Sequence, residues 1–275
     1  DRERLMSEKA QASAVFIGTA QNCANYLPSA LSRWDALATL FDARHFFIAE
    51  NDSTDATKDI LSGWRAGDSR RRVIELDGLQ HSGLRRPVRL AIARNRLLDE
   101  VRASEAARTA DYLIVMDLDD ASRLITPQRL KRCMMIDGWD ALFANQLFYY
   151  ADIWALRDAR RSPDDFVHRI EATAPGWPRR LARIRHLHWR NRPLNPFGRP
   201  IPVISAFGGF GIYRMPMALS AHYQGERDGR DICEHVPYHE AMVAAGGRLF
   251  IHPGLINALP RALSFLDPLL LGRRP

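Results

Sequence analysis

Apolar and polar positions switch between two periods along the first 120 residues, and the switching predicts a wound α/β fold. Ser13–Ala20 (SAVFIGTA) is a short β-rich apolar run closing on Gly and Thr, the pattern of a buried strand. Leu27–Phe41 repeats its apolar positions at helical spacing. Arg44–Glu50 (RHFFIAE) predicts a second strand, and the polar stretch 51–55 then offers capping chemistry for a helix running to Trp64. Arg72–Leu76 predicts a third strand, and Val88–Val101, amphipathic and rich in Leu and Ala, a helix. Tyr112–Leu118 (YLIVMDL) is an apolar strand that stops abruptly at carboxylates. Strands alternating with helices at this spacing predict a parallel sheet with helices on both faces.

Beyond residue 120 the pattern loosens. Asp140–Tyr150 predicts one or two strands, Ile201–Phe207 and Phe210–Arg214 flank Gly208–Gly209, Pro237–Ala245 predicts a short helix, and Arg248–His252 a last strand before Pro253. Segment 157–200 is rich in Arg, Pro and Trp and predicts helices joined by long loops. Without an internal repeat or a flexible linker, the chain is expected to be one continuous domain, 1–275, carrying an inserted basic lobe.

Composition narrows the class. Hydrophobic residues make up 46% and charged residues 26%, which excludes a disordered chain, and 17 Gly with 16 Pro exclude collagen-like sequence. Folding a chain of 275 residues buries roughly 75% of its surface, so no disulfide or metal staple is needed. No run approaches about 18 apolar residues, so no membrane-spanning helix is expected. The sequence opens on Asp1, and a leader or anchor upstream of it stays open. Cys23, Cys133 and Cys233 are odd in number and far apart, which points to reduced thiols and a cytoplasmic protein. The net charge of +7 is local: segment 157–199 holds eleven Arg against four acids. Such a segment suits a phosphate, an anionic lipid or nucleic acid. Peripheral contact with the inner membrane is one consequence; a solvated face is the bland alternative.

Candidate chemistry begins at Asp117–Leu118–Asp119–Asp120. Strand alternation puts residues i and i+2 on one side, and ligands of open α/β sheets lie beyond the carboxyl ends of the strands. Asp117 and Asp119 there would hold a hard divalent cation against phosphate oxygens, whereas a capping role at the turn is the structural alternative. Gly18–Thr19–Ala20 would let a nucleotide approach the backbone closely, although neither a dinucleotide fingerprint nor a Walker loop is present. Glu50 and Asn51 stand where a base or ribose hydroxyl is met, and Asp55 reads better as a helix cap. Arg89 and Arg94, five apart on a helix, are expected on different faces, so that one at most faces the crevice. Either could take a diphosphate bidentately. His235 and His239 make an HxxxH pair, but Pro237 intervenes and no HExxH exists, so a zinc protease is not expected.

Taken in order, VFIGTAQNCANYLPSAL, FIAENDSTDATKDIL, RLAIARNRLLDEV, YLIVMDLDD, YYADIWALR, GGFGIYR and CEHVPYH resemble a GT-A glycosyltransferase. More narrowly, they are similar to the fungal capsular α-1,3-mannosyltransferase family and its bacterial relatives. The likeness spans most of 14–257 and is weak over 158–200. It implies a Rossmann-like mixed sheet with a nucleotide-sugar-binding half, 13–120, and an acceptor-binding half, 121–275, that carries the basic segment. It implies Mn²⁺ or Mg²⁺ held by Asp117 and Asp119 with His252, and a nucleotide pocket of Thr19, Ala20, Glu50 and Asn51. Arg94 and Asn95 would face the donor phosphates or sugar. Gly208 and Gly209 would lie near the acceptor, Asp152 and Trp154 would touch sugar or acceptor, and Glu234 would be the acidic active-site residue. The implied reaction transfers a hexose, mannose among the candidates, from a GDP- or UDP-linked donor to a saccharide or lipid-linked acceptor in cell-surface polysaccharide synthesis. Retention of configuration is the outcome that the likeness suggests. Two competing functions remain. One is a sugar-phosphate nucleotidyltransferase, which lacks its usual Gly- and Lys-rich loop here. The other is a nucleic-acid binder stacking bases on Trp177 and Trp189; nucleic acid is the less expected partner.

Overall fold

The computed structural model describes residues 12–148, 150, 152–160, 162–171 and 193–258. Four strands, β1 (Ser13–Ala20), β2 (Ala43–Glu50), β3 (Arg71–Glu75) and β4 (Tyr112–Met116), are parallel neighbours in the spatial order β3-β2-β1-β4. The sheet continues through β5 (Ala141–Gln146), β6 (Ile201–Pro202), β7 (Phe210–Arg214) and β10 (Leu249–Ala258) in the order β7-β5-β10-β6. A small hairpin, β8 (Glu226–Arg227) and β9 (Arg230–Asp231), stands apart from it. Only β7 and β6 run antiparallel to their neighbours in the large sheet. The principal helices are α1 (Leu27–Ala38), α2 (Thr57–Arg65), α3 (Arg86–Ala103), α4 (Pro127–Met134) and α5 (His235–Ala244).

Strand alternation divides the core into two layers. Ala14 and Phe16 of β1 face α1, where Phe16 packs on Trp34 and Phe46 with ring centroids 5.9 and 5.1 Å apart. Val15 and Ile17 face the other way, into a layer built with Leu97, Leu98 and Val101 of α3 and Val236 and Met242 of α5. Both faces are thus covered, which is why β1 and β4 read as unbroken apolar runs.

The sheet also sets the position of the site. β1, β2 and β4 end at one edge, and antiparallel β7 starts there, with Met116 opposite Phe210. The turn before β7 is therefore brought against the end of β4, and Asp117 N–H donates to the Gly209 carbonyl at 3.0 Å. Gly209 has φ +89°, and a Cβ there would lie 2.8 Å from the Ala121 Cβ, so glycine is required by both conformation and space.

Several expected boundaries move. β4 stops at Met116, ahead of the acidic run rather than within it. Asp140–Tyr150 yields one strand, β5. Ile201–Phe207 contributes only two ladder residues, because past Val203 the chain turns to pair with Arg157 instead. β10 does not end at His252. It crosses Pro253 and continues to Ala258, with its register on β5 shifting between Ile251 and Ile256. Pro253 cannot donate to the ladder, so the strand bulges past it. Phe166–Glu171 is helical, but 172–192, with most of the basic segment and both stacking tryptophans, lies outside the described residues. Cys23, Cys133 and Cys233 are buried free thiols. Among the described residues no helix is long and apolar enough to cross a membrane.

Candidate active-site crevice

A crevice of about 430 Å³ opens at the carboxyl ends of β1, β2 and β4. Thr19 and Ala20 end β1 and Asn51 follows β2; all three line it. Asp117 and Asp119 enter after β4, Gly208 and Gly209 before β7, and Asp152 and Trp154 from the segment after β5. Arg86, Arg89 and Arg94 reach it from α3, and Glu234 and His235 from the start of α5.

Arg94 is the hub. Its guanidinium is buried, donates from Nη1 to Glu234 Oε1 and lies 2.5 Å from His235 Nε2. Nη2 donates to Asp117 Oδ1 at 3.0 Å. The rings of Phe207 and Tyr223 flank it at 5.2 and 5.7 Å. Burial works against its charge, but Glu234 and Asp117 outweigh it and hold the group firmly cationic.

Asp117 keeps about a third of its side-chain surface open to the crevice. Its removal from bulk water raises the carboxyl pKa; Arg94 opposes the rise, and Asp119, Asp152 and Glu234 add to it. Asp119 Oδ1 accepts from Ala121 N–H at 2.8 Å, so it caps the single turn Asp120–Ser122 while lining the crevice. Asp152 Oδ2 accepts from Gly208 N–H at 2.8 Å, and burial raises its pKa despite that bond. Burial, with Arg94 nearby, drives the His235 pKa far down, so its ring is neutral. Accepting from Arg94 at Nε2 places the proton on Nδ1, which has no hydrogen-bond partner among the described residues. His239, one turn on, is saturated by Ser205 Oγ at 3.0 Å and Tyr213 Oη at 2.9 Å. Burial lowers its pKa to about 3. His239 thus serves packing, whereas His235 supports Arg94 at the crevice.

Three expected site residues are not in the crevice. Glu50 is the last residue of β2 and points away from Asn51. Its Oε1 accepts from Ser53 N–H at 2.7 Å, and Oε2 lies 3.6 Å from Lys58 Nζ. Asn95 is turned one residue around α3 from Arg94 and pairs with the Tyr223 backbone, donating to its carbonyl at 2.9 Å and accepting from its N–H at 2.8 Å. Asn95→Ala is expected to lower stability by about 1–2 kcal/mol in urea unfolding, since two backbone groups lose their partner. It should leave nucleotide affinity in a titration unchanged; a loss of affinity without a loss of stability would return Asn95 to the site. His252 sits within β10, where its Nδ1 accepts from Gly254 N–H at 3.2 Å, and it does not line the crevice. Two further expectations shift. Arg89 and Arg94 both line the crevice, because α3 points its N-terminal end into it. Asp55 is not the N-cap residue, which is Ala56; it stands one position earlier, where its Oδ1 accepts from Thr57 N–H at 3.0 Å.

Gln21, Arg86, Gln146, Phe207 and His235 also line the crevice, beyond the residues expected there. Only Arg86 and His235 carried a signal, as charge at a helix start and as the residue beside Glu234.

Among the described residues, no cluster of three His, Cys, Asp or Glu side chains is placed to hold a metal ion. The donor set still fits a hard cation of the Mg²⁺ or Mn²⁺ kind. Asp117 and Asp119 offer oxygen donors at one wall, and such ions bind through one or two carboxylates with phosphates and waters completing the shell. Four carboxylates line the crevice (Asp117, Asp119, Asp152 and Glu234), and Arg94 pairs with two of them, Asp117 and Glu234.

No protein-family model matches the chain, and no curated protein matches it in sequence. Solved structures share its fold. A mannosyltransferase from Pyrobaculum calidifontis, solved in complex with GDP-Man and Mn²⁺, gives a TM-score of 0.52 at 13% identity, over 90% of this chain and 56% of that one. S. aureus TarS 1–349 gives 0.50 at 13% identity, over 94% and 64%. The chain therefore spans less than two thirds of either. At such identity the likeness concerns the fold, and the mixed sheet with helices on both faces is of the GT-A, Rossmann-like type.

Proposed function

We propose that this chain is a metal-dependent glycosyltransferase that moves a hexose from a nucleoside-diphosphate sugar to a saccharide or lipid-linked acceptor. The observation that carries the reading is the pair Asp117 and Asp119 on one wall of the crevice, past the end of β4. Thr19, Ala20 and Asn51 would meet the nucleoside, with residues 13–120 forming the donor half and 121–275 the acceptor half. Asp117 and Asp119 would hold Mn²⁺ or Mg²⁺, which when bound offsets the charge on the departing diphosphate. Gly208, Gly209 and Trp154 would shape the sugar and acceptor side.

The carboxylates take different roles. Glu234 is tied to Arg94 and orients the guanidinium. Asp152 is anchored by Gly208 N–H and faces the crevice, where it would stabilise positive charge at the anomeric carbon. With no free base assigned, the acceptor proton passes to the departing diphosphate oxygen as the old C–O bond breaks and the new one forms, a route compatible with retention. Mannose as the sugar, GDP as its carrier, kinship with the fungal capsular family and a role in surface polysaccharide synthesis at the cytoplasmic face of a membrane belong to the same proposal. GDP-Man and Mn²⁺ in the Pyrobaculum structure support it by analogy of fold.

A thermal-shift panel of UDP, GDP, CDP and their sugars, with Mn²⁺ or with EDTA, tests the reading. A ligand at 100 times its Kd adds about 2.7 kcal/mol to the folded state. One nucleotide should raise the midpoint in Mn²⁺ and lose the effect in EDTA; a flat panel would sink the proposal.

A further inference from the structure

The charges on α3 are matched with one local exception. Arg96 pairs with Glu100 at 2.8 Å, Arg102 with Asp99 at 3.0 Å, and Arg94 with Glu234 and Asp117. Arg85, just before the helix, is taken by Glu226 at 2.5 Å and Asp231 at 3.0 Å. Arg86 and Arg89 pair with no carboxylate among the described residues, and both line the crevice. Among the described residues Arg89 donates only to the Leu84 carbonyl, at 2.6 Å, and its charge meets no carboxylate there. Both stand in the first turn of an 18-residue helix, where the macrodipole also favours an anion.

We propose that Arg86 and Arg89 form an anion subsite at the crevice mouth that takes a phosphate carried by the acceptor. The acceptor would then be a phosphorylated compound, an inference that rests on the glycosyltransferase reading. The donor diphosphate is the less fitting occupant. Arg86 is eight residues from Arg94, roughly 12 Å along the axis, and it is Arg94 that touches Asp117. A diphosphate held at the two aspartates would meet Arg94 first, whereas a second anion would bring its charge to the uncompensated arginines. Guanidinium groups suit a phosphate through parallel charge-assisted hydrogen bonds. The phosphate could belong to a small soluble acceptor or to a lipid head group, and the experiment separates these.

The probe is glycerol 3-phosphate, titrated by calorimetry into the full chain holding Mn²⁺ and whichever nucleoside diphosphate it binds. The variants are Arg86→Gln/Arg89→Gln and, as a control on the same helix, Arg96→Gln. Glycerol 3-phosphate should bind wild type and the control alike, and bind the double variant at least about tenfold more weakly. Nucleotide affinity should be level in all three. Co-sedimentation with phosphatidylglycerol vesicles that the double variant loses, and that glycerol 3-phosphate competes away, would support the subsite with a lipid head group as its source. Absence of such co-sedimentation beside intact glycerol 3-phosphate binding would support it with a soluble one. Loss of nucleotide affinity in the double variant would assign the arginines to the donor and overturn the subsite, as would probe binding that ignores the substitutions or fails in wild type. Arginine-dependent probe binding in a protein that binds no nucleotide would overturn the donor reading and leave the subsite standing.

Discussion

Asp117→Asn/Asp119→Asn is expected to fold normally and to transfer sugar at least about 10³-fold more slowly, because a bound cation supplies several kcal/mol and each 1.36 kcal/mol is tenfold in rate. Asparagine is the informative replacement. At 119 it retains a side-chain oxygen to accept from Ala121 N–H, so the turn keeps its cap. At 117 it retains an oxygen for Arg94 Nη2. What disappears is the paired negative charge. Release of nucleoside diphosphate from a donor sugar, followed with Mn²⁺ and with EDTA, reads the effect. A double variant with a tenth of wild-type turnover, or a wild type indifferent to EDTA, would remove the metal from the account.

Arg94→Ala should be the most destabilising single change in the crevice, by about 3–5 kcal/mol in urea unfolding, since removing one partner of a buried ion pair leaves the other charge uncompensated. Glu234 would stay buried without its guanidinium, His235 Nε2 would lose its donor, and the space between Phe207 and Tyr223 would be empty. A second variant separates charge from packing. Arg94→Met/Glu234→Met replaces the pair with apolar side chains of similar length and should recover at least half of the lost stability while remaining inactive. A loss below about 1 kcal/mol in Arg94→Ala would mean that the guanidinium is better solvated than its surroundings indicate.

Neighbouring residues show how much of this was legible in the chain. The segment that ends in Asp117 was readable because a strand buried on both faces is apolar throughout, and its abrupt end marks the sheet edge where ligands collect. The two core layers follow from the same alternation, so Phe16 and Ile17 could be sent to opposite faces in advance. Glu50 was misplaced because, at the very end of a strand, the side chain follows the strand's pleat rather than the chemistry of the segment after it. Asn95 was misplaced because its partner is the Tyr223 backbone, 128 positions away. His252 was misplaced because Pro253, taken as a strand end, is absorbed by a bulge within β10.

The sequence by itself determined the alternation of strands and helices as far as β4, the apolar character of both sheet faces there and the position of the acidic pair past the end of that strand, because periodicity and composition are local properties of the chain. Only the tertiary structure decided which charges meet. Arg94 lies 23 residues from Asp117 and 140 from Glu234, and their union depends on α3 and α5 covering the same face of the sheet. The same packing matches every other arginine of α3 and leaves Arg86 and Arg89 turned to the crevice, since Coulomb energy is set by distance in space and not by separation along the chain.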